Sequence, residues 1–322
     1  MSNLPTIELV ETCFTDRVDP RAHDVAERTC GWLIDQGIAT PEIAARYHKY
    51  LCTTLVPRCY IGGSWAAVAA INDFMVWVFI YDDYFFAPDR AWPSTHHDLA
   101  AAAKDPEDHE KHSDPMVRGL ANIVRRFYAQ GMGTEWESRF ARHLAEIFAQ
   151  FTEEHRQRSA GYQPTEREYM ALRHGTWFTE AWVDLAELNA GSALPKQMRE
   201  EDPYRSVMDA AQIFCVIHND MVSLPMELAA GHTHNLGAVF MGHEGLTRAE
   251  ALDKMRTLAA GYVERFLNAE QRMLAELEGK RDDVSEACRA CMRTARDWIG
   301  LSRWYNHASP RYSEDEFTGG PR

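Results

Sequence analysis

The stretch N-D-M-V-S-L-P-M-E places an amide at Asn219, a hydroxyl at Ser223 and a carboxylate at Glu227. On a helix each step of four residues rotates about 40° and rises about 6 Å, so the three side chains fall along one stripe. All three are hard oxygen donors of the kind Mg²⁺ prefers. The same spacing also suits the polar face of an ordinary amphipathic helix, and on this stretch alone both readings stay open. A second candidate is Phe79-Ile80-Tyr81-Asp82-Asp83-Tyr84-Phe85-Phe86. Two adjacent carboxylates ending a strongly apolar helix are costly to bury unpaired, and a divalent cation is their natural partner. Asp82 shares a helix face with Met75, Val78 and Phe79. Asp83 is turned away by about 100° and is expected to bond an arginine. Acids at a helix C-terminus also oppose the helix dipole, which hints at a role for them.

Helices must position both motifs. There is little period-2 alternation and the β-branched residues are dispersed, so the chain reads as all-α. Asp19-Pro20 opens a helix to about Gln36, and Thr40-Pro41-Glu42 starts a second, with Thr40 as N-cap. A long helix runs from about Ser64 to Phe86. Residues 89–112 carry Pro93 and Pro106 and are expected to form a mobile loop with one short helix. Further helices are expected at 114–130, 134–159 and 165–189. Glu201-Asp202-Pro203 then opens the helix that carries the stripe. Pro225 lacks an N–H for the carbonyl of Met221 and predicts a kink or widened turn there. A loop from Gly231 to Gly245 follows, then helices from Thr247 to about Leu277 and from about Val284 to Asn306. No internal repeat or linker appears, so residues 1–322 read as one domain with an ordered core at about 20–312.

Taken together, the two motifs resemble those of the class I terpene synthases, the bacterial terpene cyclases. Asp82-Asp83 follows an aromatic-rich helix, and N-D-x-x-S-x-x-x-E begins 136 residues later (219 − 83). The segment Tyr169-Met170-Ala171-Leu172-Arg173-His174-Gly175-Thr176 looks like the family's diphosphate-sensing stretch, with Arg173 lying 46 residues before Asn219 (219 − 173). The tail from Trp304 to Ser309-Pro310-Arg311-Tyr312 is similar to the family's ending, and Asn235-Leu236-Gly237 to its usual following loop. The resemblance covers roughly residues 20–312. It departs from the family pattern in three places. Phe85, Phe86 and Ala87 stand where the first motif usually has a further acid, and Asp89 comes only after Pro88. Met226 replaces a common lysine. Trp177 stands where a small residue is usual.

The resemblance implies a single-domain helical bundle around a central hydrophobic cavity. It also implies Mg²⁺-dependent cyclisation of an isoprenyl diphosphate with release of pyrophosphate, using three Mg²⁺ ions. On that reading Asn219, Ser223 and Glu227 hold one ion and Asp82 the others. Arg173, Arg311 and Tyr312 bind the diphosphate. Phe79, Phe178, Trp182 and Trp304 are candidates for the substrate wall, beside Met75, Cys215 and Val216. Farnesyl diphosphate, giving a cyclic sesquiterpene, is the expected substrate. A diterpene synthase acting on geranylgeranyl diphosphate is the alternative. A chain-elongating prenyl transferase would want a second D-D-x-x-D where Asn-Ser-Glu stands. An isoprenoid-binding helical protein without catalysis is the rival from another class. Dimers are common in the family, so a homodimer is carried as an expectation.

Composition bounds these readings. The chain has 322 residues, 45% of them hydrophobic, and a formal net charge of −14. That charge argues against nucleic acid or an anionic membrane surface as partner. It does not argue against an anionic small molecule carried by metal ions. Seven scattered cysteines show no disulfide framework, so a cytoplasmic setting is expected. The lone Cys288-x-x-Cys291 reads as packing. The apolar run Ala66–Tyr81 contains Asn72 and Asp73 and reads as a buried helix rather than a membrane span.

Overall fold

A computed structural model describes residue 14, residues 17–85 and residues 93–312. Fifteen α-helices and two short 3₁₀ turns form among the described residues, and no strand. In chain order the helices are α1 (Ala22–Asp35), α2 (Pro41–Lys49), α3 (Val56–Cys59), α4 (Trp65–Phe85), α5 (Pro93–Lys104), α6 (Pro106–His109), α7 (Pro115–Tyr128), α8 (Thr134–Ser159), α9 (Glu166–Thr176), α10 (Thr179–Ala190), α11 (Lys196–Glu200), α12 (Tyr204–Ala229), α13 (Leu236–Glu244), α14 (Arg248–Glu276) and α15 (Asp283–Ala308). The all-α expectation holds.

Local chemistry sets most of the boundaries. The Thr40 hydroxyl accepts from the Ile43 N–H, with Pro41 in the first turn. Thr165 and Thr247 each form a capping box, with Glu168 and Glu250 respectively. Three expectations about element boundaries need correction. Between residues 89 and 112 two helices form, α5 and α6, each with a proline in its first turn where a missing N–H is harmless; residues 89–92 lie outside the described residues. The expected loop from Gly231 to Gly245 contains α13. Asn235 caps it by accepting from the Gly237 N–H at 2.8 Å, and Gly245 closes it in the left-handed conformation. The single helix expected at 165–189 is broken at Trp177-Phe178, where Phe178 takes φ +59°. That left-handed position at a helix end usually falls to glycine. The backbone preference of Phe178 opposes the break. The ring, 1% exposed, is buried there, and that burial offsets the strain.

Two compact units make up the chain. One gathers Glu153–Thr179 and Leu194–Ala308, and the Phe14 ring packs on Phe266 within it at 5.6 Å. Its centre is α12, packed along α14 and α15, with Val207, Phe214, Val216 and Ile217 buried. The helix is α-helical throughout Tyr204–Ala229, Pro225 included. No widened turn forms: Pro225 is solvent-exposed and four residues from the helix end, so its missing N–H interrupts the ladder without ending it.

The other unit gathers Arg17–Thr152, Glu180–Ala193 and residues 309–312. Its centre is α4, packed against α1 and α7. Phe74, Trp77 and Tyr81 stack along one side of α4, with ring centroids 6.0 and 5.2 Å apart. By length and composition α4 is apolar enough to cross a membrane, but 67% of that window is buried inside the protein, as expected of a core helix. Cys288 and Cys291 are fully buried on α15, in keeping with a packing role.

Candidate active site

On α12 the stripe forms as the spacing requires. Arg173, near the end of α9, donates from Nη2 to Asn219 Oδ1 at 3.0 Å. The same nitrogen reaches Asp220 Oδ1 at 3.3 Å. Ser223 is buried, one turn before Glu227 on the same helix. Asn235 sits behind the stripe, fully buried. Its Nδ2 donates to the Asp220 carbonyl at 2.8 Å and to Ser223 Oγ at 3.3 Å. One residue therefore caps α13 and aims the serine hydroxyl of α12. Close approach of the two helices depends on Gly237, where a Cβ would meet Leu224 Cδ2 at 2.6 Å.

The electrostatics of this cluster are unbalanced. Asp220 is buried and gripped from three sides, by the Tyr169 hydroxyl, the Arg173 guanidinium and the Leu236 N–H at 3.1 Å. Burial still pushes its carboxyl up from the usual range, against the pull of Arg173. Glu227 is pushed up to about 7 by burial and by the neighbouring Asp220 charge. Burial works against the charge of Arg173, but Asp220, Glu154 and Glu227 keep it protonated. Two atoms are shielded from solvent with no hydrogen-bond partner: Glu227 Oε2, an acceptor, and Arg173 Nε, a donor. An orphaned acceptor and an orphaned donor beside three aligned oxygen donors fit a metal ion that carries an anion. Among the described residues there is no group of three His, Cys, Asp or Glu that could hold a metal; Asn219, Ser223 and Glu227 together present an amide, a hydroxyl and a carboxylate.

On α4 Asp83 finds the arginine expected of it. Asp83 accepts from Arg311 Nη1 and Nη2 at 2.9 and 2.7 Å and from the Tyr47 hydroxyl at 2.7 Å. Arg311 is 6% exposed, sits in the 3₁₀ turn Pro310–Tyr312 and lies over the Phe79 ring at 5.3 Å. Ser309 anchors that turn by donating to the Tyr50 carbonyl at 2.8 Å. Asp82 lies one residue away on the stripe Met75, Val78, Phe79, Asp82. These four are half-buried on a helix otherwise packed shut from Ala67 to Tyr81. Asp89 lies outside the described residues.

The remaining wall candidates are spread across the fold. Phe178 is buried at the α9–α10 break. Trp182, 7% exposed, packs its ring on Phe74 at 5.4 Å. Trp304 and Tyr312 are half-buried. Sequence reasoning missed Tyr169, Asp220, Asn235 and Gln212. Tyr169 precedes Arg173 by four residues, a spacing that sets both on one face of α9. Asn235 precedes an apolar run closed by Gly245, the signature of a capped helix.

Residues 73–265 match the model of terpene synthase family 2, C-terminal metal binding. Epi-isozizaene synthase of Streptomyces coelicolor is 31% identical over 326 residues, covering 97% of this chain and 89% of that protein. A (+)-T-muurolol synthase of Roseiflexus castenholzii, described as (2E,6E)-farnesyl diphosphate cyclizing, is 26% identical over 258 residues, covering 79% of each chain. Among solved structures, germacradien-4-ol synthase from Streptomyces citricolor superposes with a TM-score of 0.79 at 22% identity, covering 92% of this chain and 97% of that one. That last likeness speaks for the fold.

Proposed function

The chain belongs to the bacterial class I terpene synthases, and from that premise we propose how its residues divide the work of cyclising farnesyl diphosphate to a cyclic sesquiterpene with release of pyrophosphate. It is a lyase that uses a divalent metal, generally Mg²⁺. Magnesium, when bound, supplies positive charge to the oxygens of the departing diphosphate. The observation that carries the reading is the pair of orphaned atoms, Glu227 Oε2 and Arg173 Nε, beside Asn219 and Ser223.

In this division Asn219, Ser223 and Glu227 hold one ion and Asp82 serves the other two of three. Arg173 donates to diphosphate oxygens from Nε and its outer nitrogens, an interaction suited to its planar, permanently charged fork. Arg311 and Tyr312 donate from the other motif. Phe79, Phe178, Trp182 and Trp304 supply apolar and aromatic surface. Such surface excludes water from the carbocation and stabilises it by about 0.5–2 kcal/mol per suitably placed ring. A cytoplasmic homodimer is the expected setting.

The test is incubation with the ten-, fifteen- and twenty-carbon diphosphates and Mg²⁺, with assay of inorganic pyrophosphate and mass spectrometry of volatile products. Cyclic fifteen-carbon hydrocarbons or alcohols are expected. Cyclic twenty-carbon products alone would make the chain a diterpene synthase. Absence of pyrophosphate with every chain length, from folded protein, would leave an isoprenoid-binding protein.

A further inference from the structure

Two contacts join the end of α9 to α12. At the first, Asn219 Oδ1 accepts from Arg173 Nη2 at 3.0 Å. At the second, Gln212 Oε1 accepts from the Trp177 indole N–H at 2.9 Å. Gln212 and Asn219 are seven residues apart, close to two full turns, so they lie on one face of α12 about 10 Å apart. Arg173 and Trp177 are four apart on α9 and its cap. The Arg173 guanidinium lies over the Trp177 ring, 5.1 Å from its centroid. The four side chains close a circuit: Asn219 to Arg173, Arg173 to Trp177, Trp177 to Gln212, and back along α12.

The two contacts differ in what happens to them when substrate arrives. The Asn219 oxygen is the atom assigned above to a metal ion. With a cation held there, the Asn219 oxygen would have fewer lone pairs for Arg173 and the guanidinium would be repelled, so this contact would weaken on loading. The Gln212–Trp177 bond uses no ligand atom, and the stacking of Arg173 on the indole does not depend on Asn219. Gln212 is 3% exposed, so its bond to the indole is sheltered from competing water. Phe178 adds a backbone constraint. Its left-handed φ of +59° and buried ring fix the direction in which the chain leaves α9, directly after Trp177.

We infer that Trp177 and Gln212 are positioning residues for Arg173. The indole holds the guanidinium in place as Asn219 turns to metal, and Gln212 fixes the indole. The inference rests on the reading of Arg173 as a diphosphate donor. It also gives Trp177 a task of its own in this chain.

The test is calorimetric titration of the full-length chain with inorganic pyrophosphate in the presence of Mg²⁺, a readout separate from turnover. Trp177→Leu removes ring and donor, and is expected to weaken binding roughly 2- to 30-fold, the range of a cation–π contact. Gln212→Leu keeps the volume and removes the acceptor, and is expected to weaken it by a smaller factor. The double variant should bind no worse than Trp177→Leu, because both changes act through one indole. Trp177→Phe, which keeps a ring without its tether, should fall between wild type and Trp177→Leu and should raise KM for farnesyl diphosphate more than it lowers kcat. A purely structural role would lower Tm and leave pyrophosphate affinity alone. Wild-type affinity in natively folded Trp177→Leu or Gln212→Leu overturns the inference. Where neither leucine variant folds, wild-type affinity and KM in Trp177→Phe overturn it instead. Loss of the inference with pyrophosphate still released from farnesyl diphosphate leaves the proposed function standing. No release by the wild-type protein removes the function itself.

Discussion

At the end of α4, Asp83 accepts from a fork of Arg311 and from the Tyr47 hydroxyl; on α12, Asp220 accepts from Arg173 and from the Tyr169 hydroxyl. In each place the gripped acid directly follows a residue assigned to metal, Asp82 or Asn219. The arrangement is the same and the grip is not. Arg311 gives both terminal nitrogens to Asp83 at 2.9 and 2.7 Å. Arg173 reaches Asp220 with one nitrogen at 3.3 Å, shares that nitrogen with Asn219, and keeps Nε unspent. A bidentate charged pair is the stronger and more directional bond. On the division of roles proposed above, Arg173 would take an anion as it stands, while Arg311 would first trade away part of its hold on Asp83. The α12 cluster meets that readiness with a cost, since Asp220 and Glu227 are both carboxylates pushed up by burial.

Three measurements bear on this contrast, beginning with the largest effect. Asn219→Ala, Glu227→Ala or Asp82→Ala should each lower turnover by roughly 10²-fold or more with an unchanged circular dichroism spectrum, the scale of losing one group that stabilises the departing charge. Wild-type-like rates in all three would refute the division of metal ligands. Next, Asp220→Ala should destabilise the protein by about 3–5 kcal/mol in denaturant unfolding, because the carboxylate it removes is 2% exposed and its loss leaves the buried Tyr169 hydroxyl and Leu236 N–H without an acceptor beside Arg173. Asp83→Ala should cost about 1–3 kcal/mol, since the Asp83 side chain is 16% exposed and water can reach the gap. The reverse order would break the contrast. The smallest effect is in pH. Glu227 titrates near 7 in the folded chain, above its usual 4.5. Its neutral form is favoured by folding, so that contribution to stability is complete below about pH 4.5 and is lost as pH rises through 7. Metal binding needs the charged form. Apparent Mg²⁺ affinity should therefore rise with pH by up to about tenfold per unit below pH 7 and level off above it. A flat profile between pH 5.5 and 8, measured by titration with Mg²⁺ and pyrophosphate, would mean that Glu227 is not a ligand.

Placements that follow from helical spacing are legible in the sequence. Asn219, Ser223 and Glu227 fall on one stripe because α12 is a long apolar helix that nothing in its sequence interrupts before Pro225. Asp83 was expected to find an arginine because it turns away from the Asp82 face, and Arg311 is that arginine. The α9–α10 break was not legible. It has no glycine or proline, and the burial that compensates the left-handed Phe178 is a tertiary effect. Nor did the sequence disclose that Asp220 faces a tyrosine four residues before Arg173, since nothing in it pairs α9 with α12. α13 was hidden by its glycines and histidines, although Asn235 and Gly245 mark its two ends.

The hold of Asn235 on α12 has a consequence for chimaeras between homologous chains. Its side chain fixes the Asp220 carbonyl and the Ser223 hydroxyl, its neighbour Leu236 fixes the Asp220 carboxylate, and Gly237 sits against Leu224. Residues 220–237 therefore behave as one heritable block. A crossover placed inside it would join a serine from one parent to a cap from another and misaim the hydroxyl, even where every motif residue survives. Crossovers before Tyr204 or after Gly245 keep the block whole.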